Sequence, residues 1–185
     1  IYKTPIQEIN YQNHDFENAA NLVTDCLINK KKILIFGDYD VDGYSSTYLL
    51  YDYFITHKLN CDYFIPDRLS DGYGPNVSLL RKLISKSNYD LVIFVDCGSN
   101  SIDEITYLEN CGLKCIVIDH HQIYKHKFFN KSVIINPLKK NLPKKYNTLC
   151  ATSLTYFFIK YLVKKLNSKK KIDINKYLFF SAIAT

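Results

Sequence analysis

The chain has 185 residues, 47% hydrophobic and 23% charged, the composition of one ordinary globular domain rather than a disordered tail. No apolar run approaches the roughly 18 residues that a membrane span needs, and the opening Ile1-Tyr2-Lys3-Thr4-Pro5 lacks the basic-then-apolar layout of a signal peptide, so a soluble, cytoplasmic protein with no membrane partner is expected. The formal net charge of +6 is unevenly spread: residues 1–119 hold 10 Lys+Arg against 17 Asp+Glu (−7), and residues 120–185 hold 14 against 1 (+13).

Short apolar runs alternate with segments of helical period along the chain, the signature of an α/β domain with an open, mainly parallel β-sheet flanked by helices. In chain order the pattern predicts a helix over 17–28, a strand over 32–36, a helix over 45–57, a strand over 61–65 and a helix over 76–85. A strand over 91–95, a helix over 101–109 and strands over 114–118 and 133–135 follow. The stretch 136–147, rich in Lys, Asn and Pro, reads as an exposed loop. A helix over 151–166 places Leu154, Phe157, Phe158, Tyr161, Leu162 and Leu166 on one apolar, core-forming stripe, and a last helix begins near Asp173. Lys139, Lys140, Lys144, Lys145, Lys164, Lys165 and Lys169 to Lys171 fit either a polyanionic partner or a solvated face produced by compositional bias. Six cysteines, Cys26, Cys61, Cys97, Cys111, Cys115 and Cys150, form no Cys-x-x-Cys pair, and buried free thiols are expected rather than a disulfide framework or a zinc site. The chain opens at Ile1 and contains no Met, which reads as a piece of something longer.

Three strands end in chemistry. The first runs into Gly37-Asp38-Tyr39-Asp40-Val41-Asp42-Gly43, and three aspartates at alternate positions repel one another unless a cation or protons intervene. Beyond them Ser45 and Ser46 open a helix whose amides and hydroxyls suit an anion. The strand over 91–95 ends in Asp96-Cys97-Gly98, and the strand over 114–118 in Asp119-His120-His121. Ligands of open parallel sheets gather at the carboxyl ends of strands, so these groups are expected in one crevice. Carboxylates with imidazoles suit Mn²⁺ or Mg²⁺ better than zinc, and paired ions about 4 Å apart are a standard device for phosphoryl displacement. Cys97 reads as a small packing residue.

These three motifs, in this order and spacing, resemble the signature motifs of the DHH phosphoesterase superfamily. Within it, the segment from Ile65 to Gly74 (Ile-Pro-Asp-Arg-Leu-Ser-Asp-Gly-Tyr-Gly), Ile135-Asn136-Pro137 and Leu149-Cys150-Ala151-Thr152 resemble RecJ-type single-strand-specific DNA exonucleases. The resemblance implies two Mn²⁺ (or Mg²⁺) ions, Asp38 and Asp40 at one, Asp42 and His120 at the other, and Asp96 bridging them. It also implies that Asp119 orients the His pair and that His121 faces the scissile phosphate during in-line attack of a metal-activated water. Arg68 would contact a substrate phosphate and Tyr73 would stack on a base; a surface salt bridge and simple packing are their structural alternatives.

The implied function is 5′ to 3′ hydrolysis of single-stranded DNA to 5′-mononucleotides, in recombination and repair. Alternatives are a DHH phosphodiesterase of short oligonucleotides or cyclic dinucleotides, and a non-catalytic replication scaffold of the same fold. The family's fourth motif continues past an Ala-Thr to a further metal-binding Asp, whereas this chain stops at Ser181-Ala182-Ile183-Ala184-Thr185. Residues 1–185 are therefore expected to be a catalytic domain truncated before that motif, of low activity, without the second domain and the oligonucleotide-binding module.

Overall fold

A computed structural model of the chain describes residues 14–124, 129–139, 146–166 and 175–184. Its elements are α1 (His14–Ile28), β1 (Lys32–Phe36), α2 (Val41–Thr56), β2 (Asn60–Phe64), α3 (Val77–Ile84) and β3 (Leu91–Val95). They continue with α4 (Ile102–Asn110), β4 (Lys114–Ile118), β5 (Val133–Ile135), α5 (Ala151–Leu166) and α6 (Asn175–Ile183). The five strands form one sheet in the order β2-β1-β3-β4-β5, and every pairing is parallel.

Because side chains alternate across a strand, each strand feeds two cores. Ile33, Ile35, Ile93, Val95, Ile116 and Ile118 face a cluster built with α1, α2 and α5, to which Tyr177 of α6 also belongs. Leu34, Phe36, Val92, Phe94, Cys115 and Val117 face a second cluster closed by Leu80 and Leu83 of α3 and Ile105 and Leu108 of α4. Burial on both faces explains why these strands read as unbroken apolar runs. Of the stripe expected on α5, Leu154, Phe158 and Leu162 are buried, while Phe157 and Tyr161 pack at its margin. Cys26, Cys61, Cys97, Cys115 and Cys150 are buried free thiols and Cys111 is exposed. Among the described residues no helix is long and apolar enough to cross a membrane.

Strand β2 starts one residue earlier than its apolar run, at Asn60, which pairs with Lys32. Helix α2 begins at Val41, four residues before the expected start. Asp40 is its N-cap, in an extended conformation, and accepts a hydrogen bond from the Gly43 N–H, the interaction that favours Asp at this position. Asp42 and Gly43 therefore lie in the first helical turn rather than in a loop. The expected start of the last helix near Asp173, and Lys140, Lys144, Lys145 and Lys169 to Lys171, lie outside the described residues.

The chain leaves β1 toward β2 on one side and later returns to β3 on the other. The carboxyl ends of β1 and β3 thus flank the point where the winding reverses, the place where open α/β sheets form a crevice.

Candidate metal centre and active-site crevice

The turn after β1 is held by close backbone approach. A Cβ on Gly43 would stand 2.4 Å from the Asp38 carbonyl oxygen and 2.7 Å from its Cα, so only glycine lets α2 start directly against Asp38. Asp38 is buried and accepts the Tyr39 N–H at 2.8 Å. Burial pushes its carboxyl above the ordinary value, and neighbouring Asp40 adds to the rise.

Asp96 follows β3 in a left-handed conformation, φ 60°, which L residues other than Gly, Asn and Asp rarely adopt. Its side chain is buried, at 1% exposure, and among the described residues its Oδ1 accepts no hydrogen bond, although His120 Nε2 lies 3.3 Å away. Burial, then the charges of Asp42 and Asp40, push the carboxyl up to about 9. Oxygens of Asp38, Asp40 and Asp96 lie within 4.8 Å of one another, and Asp96, His120 and His121 form a second such group. Asp96, common to the two groups and with a buried oxygen that lacks a hydrogen-bond donor among the described residues, completes a donor set that fits divalent cations: a cation in each cluster would offset the burial and the repulsion that otherwise favour the protonated carboxyl.

Asp42 stands at the edge of the second group. Its Oδ2 is 3.5 Å from His120 Nε2, and both its oxygens are also engaged by the first turn of α5, accepting from the N–H groups of Ala151 at 2.8 Å and Thr152 at 2.7 Å.

At the end of β4, Asp119 gathers donors from three directions. Its Oδ1 accepts from the His120 N–H at 2.7 Å and from His121 Nδ1 at 2.7 Å, and its Oδ2 from the Ser99 N–H at 2.9 Å. Burial alone would raise this carboxyl, but the bonds from His121 and Ser99 outweigh it and hold Asp119 at about 2. The same bond from Asp119 raises the His121 imidazole above its ordinary value, against a smaller desolvation effect. Asn136, just past β5, donates from Nδ2 to Ser99 Oγ at 2.8 Å and to the His121 carbonyl at 2.9 Å, so the ends of β3, β4 and β5 meet in one polar network.

His121 Nε2 faces the Tyr73 hydroxyl at 3.3 Å. Tyr73 sits edge-on to Tyr39, with ring centroids 6.2 Å apart, and the Arg68 guanidinium lies 5.4 Å above the Tyr39 ring. Tyr73, Ser99, Asp119 and His121 help line a hollow beside the two clusters. The structure thus brings Asp38, Asp40, Asp42, Asp96, Asp119, His120, His121 and Tyr73 together, with Arg68 reaching them through Tyr39.

Two expected substrate contacts are not placed there. Ser46 is fully buried, and its hydroxyl donates to the Asp42 carbonyl at 2.7 Å and lies 3.2 Å from Thr152 Oγ1; it joins α2 to α5 instead of meeting an anion. Ser45 is buried too. Lys139, for which the sequence leaves open a polyanion contact or a solvated face, donates to Asp15 at 2.7 Å and to the Ile134 carbonyl at 3.0 Å, so it fastens α1 to β5. Because α5 starts beside Asp42, its exposed Lys164 and Lys165 lie roughly 20 Å from the crevice at 1.5 Å per helical residue. Cys97 is buried with its Sγ toward the Phe36 carbonyl, a packing residue. Ser99, Asn136 and Thr152 were not singled out as site residues; the Ile135-Asn136-Pro137 and Leu149-to-Thr152 segments carried the only signal for the last two.

The family described as "DHH family, N-terminal domain" matches residues 32–185. Single-stranded-DNA-specific exonuclease RecJ of Bacillus subtilis (strain 168) is 35% identical over 106 residues, 57% of this chain and 13% of that protein. The putative SPbeta prophage-derived single-strand DNA-specific exonuclease YorK of the same organism is 33% identical over 162 residues, 83% of this chain and 26% of that protein. Among solved structures, exonuclease RecJ bound to manganese superposes with a TM-score of 0.78 at 27% identity, covering 92% of this chain and 42% of that one. The chain therefore spans only a minor part of the length of the curated relatives it matches.

Proposed function

The chain belongs to the DHH family through residues 32–185, and on that premise we propose that its crevice is the metal-dependent active site of an exonuclease. The substrate is single-stranded DNA, degraded 5′ to 3′ to 5′-mononucleotides, in the service of recombination and repair. The observation that carries the reading is Asp96, the buried residue common to an Asp38–Asp40 cluster and a His120–His121 cluster, whose Oδ1 has no hydrogen-bond donor among the described residues. The single-strand-specific exonuclease names of the relatives support the choice of substrate, and the manganese in a RecJ structure supports the choice of ion.

Asp38, Asp40 and Asp96 would hold one Mn²⁺ or Mg²⁺, and Asp96, His120 and Asp42 the other. Such ions supply Lewis-acid stabilisation of phosphoryl charge and activation of water. The chain's own groups bind and orient around them. With Asp119 ionised and bonded to Nδ1, His121 is favoured as the imidazolium, and its Nε2 proton is available to a non-bridging phosphate oxygen whose charge grows in the transition state. The Ser99 N–H keeps Asp119 ionised, and Asn136 holds the His121 backbone, so the ring direction is set before substrate arrives. Arg68, a planar fork of donors, and the Tyr73 ring, a stacking surface for a base, would steady the strand beside His121.

The test is hydrolysis by the protein containing this chain, with Mn²⁺ or with EDTA, of an end-labelled single strand, the matching duplex and a cyclic dinucleotide. Metal-dependent release of mononucleotides from the single strand, with the duplex spared, is expected. Metal-independent turnover, or cleavage of the cyclic dinucleotide with the long strand untouched, overturns the proposal.

A further inference from the structure

Asp42 has a double allegiance. Its carboxylate belongs to the crevice through His120, yet it is also the acceptor for the N-terminus of α5, a helix 109 and 110 positions away in sequence at the two amides concerned. A carboxylate has about four lone-pair sites, two on each oxygen. Oδ1 takes two donors, the Thr152 N–H at 2.7 Å and the Thr152 hydroxyl at 2.5 Å. That oxygen is filled. Oδ2 takes one donor, the Ala151 N–H at 2.8 Å, and it is this oxygen that stands 3.5 Å from His120 Nε2.

We infer that Thr152 is a positioning residue for the metal centre: by saturating Oδ1 of Asp42 it leaves Oδ2 as the single oxygen able to join His120 on an ion. The inference rests on the proposed metal-dependent reading and adds to it a residue from outside the three strand-end motifs. The supporting geometry is rigid. Thr152 is fully buried, and Ser46 Oγ, 3.2 Å away, is itself tied to the Asp42 carbonyl. The hydroxyl's one proton goes to the nearer acceptor, Oδ1, since the Asp42 carbonyl at 3.1 Å already receives Ser46. Without that hydroxyl, the two α5 amides still hold the carboxylate, but Oδ1 regains a lone pair and can compete with Oδ2 for the ion. Hydrogen-bonding partners that orient metal ligands are generally worth about 10–100-fold in metal affinity.

The experiment is calorimetric titration of the protein containing this chain with Mn²⁺, together with thermal unfolding with and without the ion, for wild type, Thr152→Val, Thr152→Ala and Thr152→Ser. Thr152→Val puts a methyl that cannot donate in place of the hydroxyl, and this methyl must draw back from Oδ1; Thr152→Ala removes the hydroxyl with no group in its place. About a tenfold loss of affinity is expected for the Val and Ala variants, confined to the binding step that involves Asp42 and His120, with recovery in Thr152→Ser. A purely structural role would lower the unfolding temperature of the metal-free protein and leave the Mn²⁺-induced rise unchanged. Wild-type affinity in the Val or Ala variant, or a serine variant as weak as they are, overturns the assignment of Thr152 while leaving the metal centre standing. A wild-type protein that binds no Mn²⁺ overturns both.

Discussion

Replacing Asp96 by Asn changes one atom at the centre of the crevice, and the structure sets what this does to stability without metal. In the folded protein burial and the neighbouring carboxylates push Asp96 up to about 9, against about 3.9 in an unfolded chain. The folded state therefore binds the proton more tightly. Its contribution to stability is fully present below about pH 4 and is lost as pH rises toward about 9, at up to about 1.4 kcal/mol per pH unit. Between about pH 5 and pH 8 wild type in EDTA should lose up to about 4 kcal/mol that Asp96→Asn does not lose. Asn accepts the left-handed conformation at φ 60°, so no backbone penalty confuses the comparison. His121, raised by Asp119, and Asp38, raised by burial, also favour lower pH, but they remain in both proteins. Asp119, held at about 2, contributes stability above about pH 4 that is lost only in more acid solution. Urea midpoints measured across that pH range give the two slopes. Mn²⁺ should flatten the wild-type slope, because a cation replaces the proton. Parallel pH dependences for wild type and Asp96→Asn in EDTA would refute the argument that Asp96 is held protonated among like charges.

Gly43→Ala should cost at least about 2 kcal/mol, since the new methyl would lie 2.4 Å from a backbone oxygen that cannot move without shifting Asp38; an unchanged denaturation midpoint would contradict the packing of this turn. Lys139→Ala should cost about 1 kcal/mol by releasing Asp15 and the Ile134 carbonyl, while the salt dependence of single-strand binding, followed by fluorescence anisotropy, stays as in wild type. A flatter salt dependence would return Lys139 to the nucleic-acid surface.

The legibility of the sequence followed the range of the forces involved. Strands β1, β3 and β4 have the predicted limits because each is an apolar run buried on both faces and bounded by polar or turn residues, a signal complete within about five residues; the half-buried edge strand β5 has them too, as a three-residue apolar run. The start of α2 was misplaced because its signal is competitive. Asp40 and Asp42 look alike in sequence, and only the Gly43 N–H, turned toward Asp40, makes one the cap and the other a first-turn residue. The convergence of the strand-end acids followed from topology alone, since any winding that places β1 beside β3 brings Asp38, Asp40 and Asp96 to one rim.

What the sequence hid are pairings across more than 100 positions, Ser46 with Thr152 and Asp42 with α5. A hydroxyl that bonds a distant carbonyl leaves no periodicity, and at the start of a helix it looks the same as one offered to an anion. The same physics that hid these contacts makes them necessary. Buried like charges at a strand rim cannot hold their directions by repulsion, so each must be aimed by donors from another element: Asp119 by His121 and Ser99, Asp42 by the first turn of α5. Asp96 is the exception, with no donor on Oδ1 among the described residues, and it is the residue common to both clusters. An oxygen without a hydrogen-bond donor among the described residues, in a site where the neighbouring carboxylates have donors, is where the proposed ions would take the place of protein donors.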